Sequence, residues 1–374
     1  MHTHKVISSD DHIYEPLDLW TTRLDKKFRD RAPRVIPEEG DDWWYCEGIK
    51  IQTAAAGAQA GLRFEDPDRL SFKDKVENIR LGAYIPEEHI KDMDADGIDM
   101  GLVYPTVGLQ LYQRIQDSEL LSVLFRAYND WLAEFCDTFP ERLRGIAMIN
   151  LDDIPSGVTE MERCARQGHR GIMITIQPLR GMSYDRPEYE PVWAAAQDLA
   201  LPISLHVTTN RPDPDDPGAL LLDAAKPSFF VNLDHWPRVC LTDMIFSGVF
   251  ERYPRLQVGS VEMELSWVPH FLDRMDYNYT QRAREIAGAR FTQDVLPSEF
   301  FHRHVFLSFQ EDHMGIRDRE VIGVDSLLWG SDYPHQESTF PKSQEFLAGL
   351  LADCSEEERA KIVGGNAARV YQLG

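Results

Sequence analysis

Pro202-Ile203-Ser204-Leu205-His206-Val207 reads as a strand with Ile203, Leu205 and Val207 on one face and Ser204 and His206 on the other. Upstream, Pro191-Val192-Trp193-Ala194-Ala195-Ala196 continues a helical pattern, preceded by the apolar run Gly171-Ile172-Met173-Ile174-Thr175-Ile176. Downstream, a helical stretch from Leu241 to Phe250 leads into Leu256-Gln257-Val258-Gly259-Ser260-Val261. Strands separated by helices imply βα units and a parallel sheet. The alternation extends in both directions. Lys5 to Asp10, Gly101 to Tyr104 and Gly145 to Ile149 come before; His304 to Phe309 and Ser326 to Gly330 come after. Between the second and third strands, Leu120, Leu121, Leu124, Tyr128, Trp131, Leu132 and Phe135 share one helical face, after a cap at Asp117 or Ser118. Eight strands is the number that closes a barrel, and no GxGxxG turn follows any of them. The pattern therefore predicts an α/β fold, a (β/α)8 TIM barrel rather than a doubly wound open sheet.

Residues from about 25 to 86 break the alternation with Trp43-Trp44-Tyr45-Cys46 and Ala54-Ala55-Ala56-Gly57-Ala58. They read as an insertion after strand one, a small hairpin unit over the barrel mouth, within a single domain spanning 1–374. From Pro341 on, two helical patterns should pack outside the barrel. With 39 basic against 62 acidic residues the formal charge is −23, a field that disfavours nucleic acid and anionic lipid as partners. Five scattered cysteines without a CxxC pair argue against a disulfide framework or zinc knuckle. No apolar run is long enough to span a bilayer and the start lacks a signal-peptide core, so a cytoplasmic location is expected.

In such a barrel, chemistry collects at the C-terminal ends of the strands. Strand one ends in Asp10-Asp11-His12, where alternation puts Asp10 and His12 on one face and Asp11 on the other. His206 ends strand five on its inward face, Glu262 ends strand six and Asp332 ends strand eight. Each has an ordinary structural explanation: a core histidine, a helix cap near Glu15, a turn former before Tyr333-Pro334, a solvated charge. Their coincidence at four strand ends is what points to a mononuclear site for Zn²⁺, Mn²⁺ or Fe²⁺. His2-Thr3-His4 is also an H-x-H, but it precedes the first strand at the wrong end of the barrel. Tyr104, Gln177, His235 and His335 are candidate substrate-binding residues, with Trp43-Trp44 of the insertion.

These residues lie in blocks that resemble a known family. Ser8-Ser9-Asp10-Asp11-His12-Ile13-Tyr14-Glu15-Pro16 is similar to the D-x-H-x-x-E-P opening of the amidohydrolase-related metal enzymes, which include aminocarboxymuconate-semialdehyde and γ-resorcylate decarboxylases. The similarity continues in Tyr128 to Leu132, Pro140 to Gly145, Leu201 to His206, Phe250 to Leu256 and Trp329 to His335. The resemblance implies a distorted (β/α)8 barrel with one divalent metal, usually zinc or manganese. It maps Asp10, His12, His206 and Asp332 onto metal-ligand positions, and Asp332 and Glu262 onto catalytic ones. Two departures stand out. Many members carry His where Asp10 stands, and many carry a catalytic His where this chain has Ser260-Val261-Glu262-Met263-Glu264, with Glu264 an alternative to Glu262.

The function expected is metal-dependent, non-oxidative decarboxylation of a small aromatic or conjugated carboxylic acid, in a homodimer. Hydrolysis on the same barrel is the alternative, and a non-catalytic binding scaffold the reading from another class. One test needs no structure: the double variant His2→Ala, His4→Ala should retain its metal when purified protein is assayed by elemental analysis. Loss of metal would mean that the wrong H-x-H carries the site.

Overall fold

All eight expected strands form, and they hydrogen-bond side by side in chain order as a parallel sheet. The computed structural model describes residues 4–54, 57–71, 73, 75–211, 226–288 and 290–373. The strands are β1 (Ile7–Ile13), then β2 (Arg34–Glu38), β3 (Asp41–Cys46) and β4 (Ile49–Thr53) in the insertion. The barrel resumes with β5 (Met100–Pro105), β6 (Leu143–Met148), β7 (Gly171–Ile174), β8 (Ile203–His206), β9 (Val258–Val261), β10 (Val305–Phe309) and β11 (Leu327–Trp329). All eight barrel strands are buried, consistent with a helix layer outside and a packed interior.

Closure depends on close approach between the first and last strands. A Cβ at Gly330 would stand 2.7 Å from Cβ of Asp10, so only glycine admits this contact. Just beyond, Asp332 N–H donates to the Asp10 carbonyl (2.8 Å) and His12 N–H to the Tyr333 carbonyl (2.5 Å). Pairing of His12 with Tyr104 and of Ile13 with Pro105 on β5 carries β1 on to Ile13.

The insertion is a three-stranded antiparallel sheet, β2-β3-β4. Its two turns, Glu39-Gly40 and Glu47-Gly48, both have positive φ at each residue (55° and 95°, 53° and 78°), the type I′ signature of two-residue hairpins. Alternation along β3 then divides the two tryptophans. Trp44 is fully buried, donates from Nε1 to the Tyr14 hydroxyl (2.5 Å) and packs edge-on against Trp20, while Trp43 lines the cavity at the barrel mouth.

The helix Ser118–Asp137 is capped by Asp117, whose carboxylate accepts from Glu119 and Leu120 N–H. After Pro341, the helix Ser343–Leu350 and the boxed helix Glu356–Ala360 lead to Asn366–Val370 and to buried Tyr371. The five cysteines are free and buried. His4 pairs with Glu356 (2.7 Å) at the end of β1 remote from His12; His2 and Thr3 lie outside the described residues. Among the described residues no helix is long and apolar enough to cross a membrane.

Glu15 has a part that its sequence context did not suggest. Its buried carboxylate accepts the N–H groups of Val107 (2.9 Å) and Gly108 (2.8 Å), the first donors of the helix Val107–Arg114 that follows β5. Helix N-terminal donors have no intrahelical partner and favour a negative charge, so this one side chain fixes that helix against β1. Glu15→Ala should cost about 2 kcal/mol or more by leaving both donors buried and unpaired. A lowered thermal unfolding midpoint relative to wild type checks this; an unchanged midpoint would contradict it.

Candidate metal centre

β1 delivers Asp10 and His12, β8 delivers His206, and the turns after β9 and β11 deliver Glu262 and Asp332. Glu262 and Asp332 both sit in the left-handed backbone region, at φ 62° and 59°. That conformation is uncommon for residues with a Cβ and clusters at functional sites, where surrounding structure holds it. Here it turns two carboxylates inward at the strand ends. His12 Nε2 lies 3.3 Å from Asp10 Oδ1, 3.5 Å from Asp332 Oδ1 and 3.9 Å from Glu262 Oε2. His206 Nε2 lies 3.5 Å from Asp10 Oδ1 and 3.4 Å from Glu262 Oε2. Asp10, His12, His206 and Glu262 each offer one donor atom within 4.8 Å of the others, and so do His12, Glu262, Asp332 and His335.

These inward atoms have no hydrogen-bond partners. Asp10 Oδ1, His12 Nε2, His206 Nε2, Glu262 Oε2 and both Asp332 oxygens are buried and unsatisfied among the described residues. The other ring nitrogens are occupied: His12 Nδ1–H donates to the Pro105 carbonyl (2.7 Å) and His206 Nδ1–H to that of Val207 (3.1 Å). Each imidazole therefore aims its Nε2 lone pair at the same spot, as metal-bound histidines do. Buried oxygen and nitrogen lone pairs converging without protons between them fit a divalent cation.

The electrostatics agree. Burial and the neighbouring Asp332 and Asp10 charges push the Glu262 carboxyl well above its usual range; burial, then Glu337 and Asp10, do the same to Asp332. Burial also works against the Asp10 carboxylate, but the adjacent His12 and His206 outweigh it and hold the group below the usual range. Burial and the adjacent His335 bring His12 down to about 3, which keeps it neutral.

Two supports were not foreseen from sequence. Asp11, facing outward from β1, accepts from Ser8 and Ser331 hydroxyls (both 2.6 Å) and so braces the residue before Asp332. Asp312, in the turn after β10, accepts from Leu265 and Ser266 N–H (2.9 and 2.7 Å), pinning the turn that carries Glu262. Asp11 was legible as the outward member of an Asp-Asp pair; Asp312 had no local signal.

The four expected substrate-binding residues separate. His335 reaches the site: it lines the cavity, sits 2.8 Å from Asp332 Oδ1 and stacks on His12 with ring centroids 3.9 Å apart. Tyr104 is instead buried beneath the histidines, its hydroxyl 2.7 Å from Ser204 Oγ and 3.2 Å from Tyr371 Oη. Gln177 bridges to Asn210, whose amide donates to it (2.9 Å), and His235 is exposed at the start of its own helix against Trp236. None of these three lines the cavity: Tyr104 points beneath it from within β5, and the segments that carry Gln177 and His235 run aside from it. Glu264 also lines it, with a carboxyl pushed up by burial to about 7, but it belongs to neither donor group. The cavity itself holds about 570 Å³, with Asp10, Glu262, Asp332 and His335 at its floor and Trp43, Leu109, Phe229 and Phe309 among its walls.

Known proteins resemble this chain in sequence and fold. A γ-resorcylate decarboxylase of Rhizobium radiobacter is 27% identical over 301 residues, covering 77% of this chain and 88% of that one. An amidohydrolase structure from Mycobacterium avium subsp. paratuberculosis superposes with a TM-score of 0.80 at 25% identity, over 99% of this chain and 100% of the other. A dihydroxybenzoic acid decarboxylase of Polaromonas sp., solved with bound manganese and the inhibitor 2-nitroresorcinol, gives a TM-score of 0.68 at 20% identity, over 99% and 98% of the two chains. The amidohydrolase family model matches residues 80–373. With most of its length so matched, from the end of the insertion to the last helix, the chain belongs to the amidohydrolase family.

Proposed function

We propose that the protein is a metal-dependent, non-oxidative decarboxylase of a small aromatic or conjugated carboxylic acid. The observation that carries the reading is the set of buried, unpartnered carboxylate and imidazole atoms at the floor of an apolar-walled cavity. The relatives' activities, named as decarboxylations, support it. Asp10, His12, His206 and Asp332 would hold the cation, with Glu262 beside them. Two carboxylates and two imidazoles, with the Glu262 carboxylate beside them, favour a hard ion such as Mn²⁺. A bound divalent cation supplies Lewis-acid stabilisation of the substrate oxygens and a template for their orientation.

The chain's own residues account for the proton. His12 and His206 present their Nε2 lone pairs, held in place by their Nδ1–H bonds. Glu262, beside the ligands and pushed up by burial and the neighbouring carboxylates, is the acid at the floor, with Asp332 taking that part if Glu262 holds the cation instead. When the carbon–carbon bond to the carboxylate breaks, its electron pair stays on the ring carbon, CO2 leaves, and that acid delivers the proton to the same carbon. His335, 2.8 Å from Asp332, is placed to orient it or to return its proton. The apolar walls hold the ring and exclude water.

Screening carboxylic acids and esters for CO2 release against acid release tests the reaction class. CO2 release is expected; acid release from esters without CO2 would turn the reading to hydrolysis. His206→Ala and Asp332→Ala should each reduce turnover more than a hundredfold while the circular dichroism spectrum stays that of wild type. Near-normal turnover in either would remove it from the site. Glu262→Gln separates two roles: metal retained with turnover lost marks an acid, whereas loss of both marks a ligand. Full turnover with full metal would exclude Glu262 and shift attention to Glu264.

A further inference from the structure

The cavity has a second polar wall that the proposed chemistry leaves unused. The helix Val107–Arg114 presents Gln110 and Arg114 to it, four residues apart and therefore on one face. β4 packs against this helix and adds Gln52 to the same wall. Arg114 Nε and Gln52 Nε2 are buried, and neither has a hydrogen-bond partner among the described residues. An unpaired buried donor costs about 1–3 kcal/mol, so two on one wall mark a place that an acceptor from a ligand would satisfy.

The wall is rigid. Arg211 donates from Nη1 to the carbonyls of Tyr112 (2.6 Å) and Ile115 (2.7 Å) at the end of this helix, while it forms a buried fork with Asp152 (3.1 and 2.7 Å). Glu15 holds the other end. Arg114 thus stands on an element fixed at both termini, unlike a surface arginine free to swing.

Position and charge define what it would meet. Thr106, just before the helix, touches His335 at the floor (3.4 Å), and at 1.5 Å per residue Arg114 lies about 12 Å further along the axis. With the reach of its side chain, that leaves room for one substituted ring between floor and guanidinium. The floor side is acidic, lined by Asp10, Glu262, Glu264, Asp332 and Glu337, whereas Lys73 and Arg114 are the lining residues with a standing positive charge. Arginine forks match carboxylate geometry.

We propose that Arg114, with Gln52 and Gln110, forms a subsite for a second anionic group of the substrate, so that the preferred acid carries another carboxylate on the side of the ring away from the reacting one. This rests on the decarboxylase reading. Calorimetric titration of the Mn²⁺-loaded protein with salicylate and with 4-hydroxyisophthalate compares one carboxylate with two on the same ring. Wild type should bind 4-hydroxyisophthalate at least tenfold more tightly. Arg114→Gln should bring the affinity ratio near one, and Arg114→Lys, which keeps the charge, should restore part of it. A wild-type ratio near one, or an unchanged ratio in Arg114→Gln, overturns the subsite and leaves the decarboxylase reading standing. Failure of the metal-loaded wild type to bind either acid overturns both. If Arg114→Gln does not fold, Gln52→Leu carries the same comparison, with a reduced ratio expected and an unchanged one contrary.

Discussion

Mutual repulsion among the buried lone pairs of Asp10, His12, His206, Glu262 and Asp332 is the force that the mouth of this barrel is built to contain. Each such atom without a partner costs about 1–3 kcal/mol, against a total stability of about 5–15 kcal/mol for a folded protein. Several in one place would therefore consume much of the fold's margin. A divalent cation at their centre converts the repulsion into coordination. Burial beside the other carboxylates raises whichever of Glu262 and Asp332 the cation leaves free, which is what makes an acid available there.

Holding these groups together takes a surrounding frame. Carbonyls at the ends of β5 and β8 fix the imidazoles; Asp11 ties β1 to Ser331; Asp312 pins the turn after β9; Gly330 lets the barrel close beside Asp10. The left-handed backbone at Glu262 and Asp332 belongs to this frame, since extended strands would alternate their side chains out of register with the site. The insertion completes the enclosure: Trp44 of β3 anchors it to the core and Trp43, just before it, faces the cavity.

Much of this was legible in the sequence, for identifiable reasons. Eight apolar runs spaced by helical periodicity gave the barrel, because a parallel strand covered on both faces has little freedom in composition. Alternation separated Asp10 and His12 from Asp11, and set His206 inward. What could not be read were the loops and the long-range supports. The type I′ turns at Glu39-Gly40 and Glu47-Gly48 follow a local rule and could have been found. Glu15 as a cap for a helix 92 residues away, or Asp312 as a clamp on Leu265 and Ser266, depends on tertiary proximity that no local pattern records. Tyr104, within β5, points beneath the histidines, and Gln177 and His235 lie in segments whose course no local pattern records, so none of the three lines the cavity.

The central claim is that this donor set holds one divalent cation. Titrating the chelator-treated protein with Mn²⁺ while following the free-ion electron paramagnetic resonance signal tests it most directly. The account predicts saturable binding of about one ion per chain in wild type, greatly weakened in Asp10→Ala. Absence of saturable binding, or binding unaffected by that substitution, would contradict it.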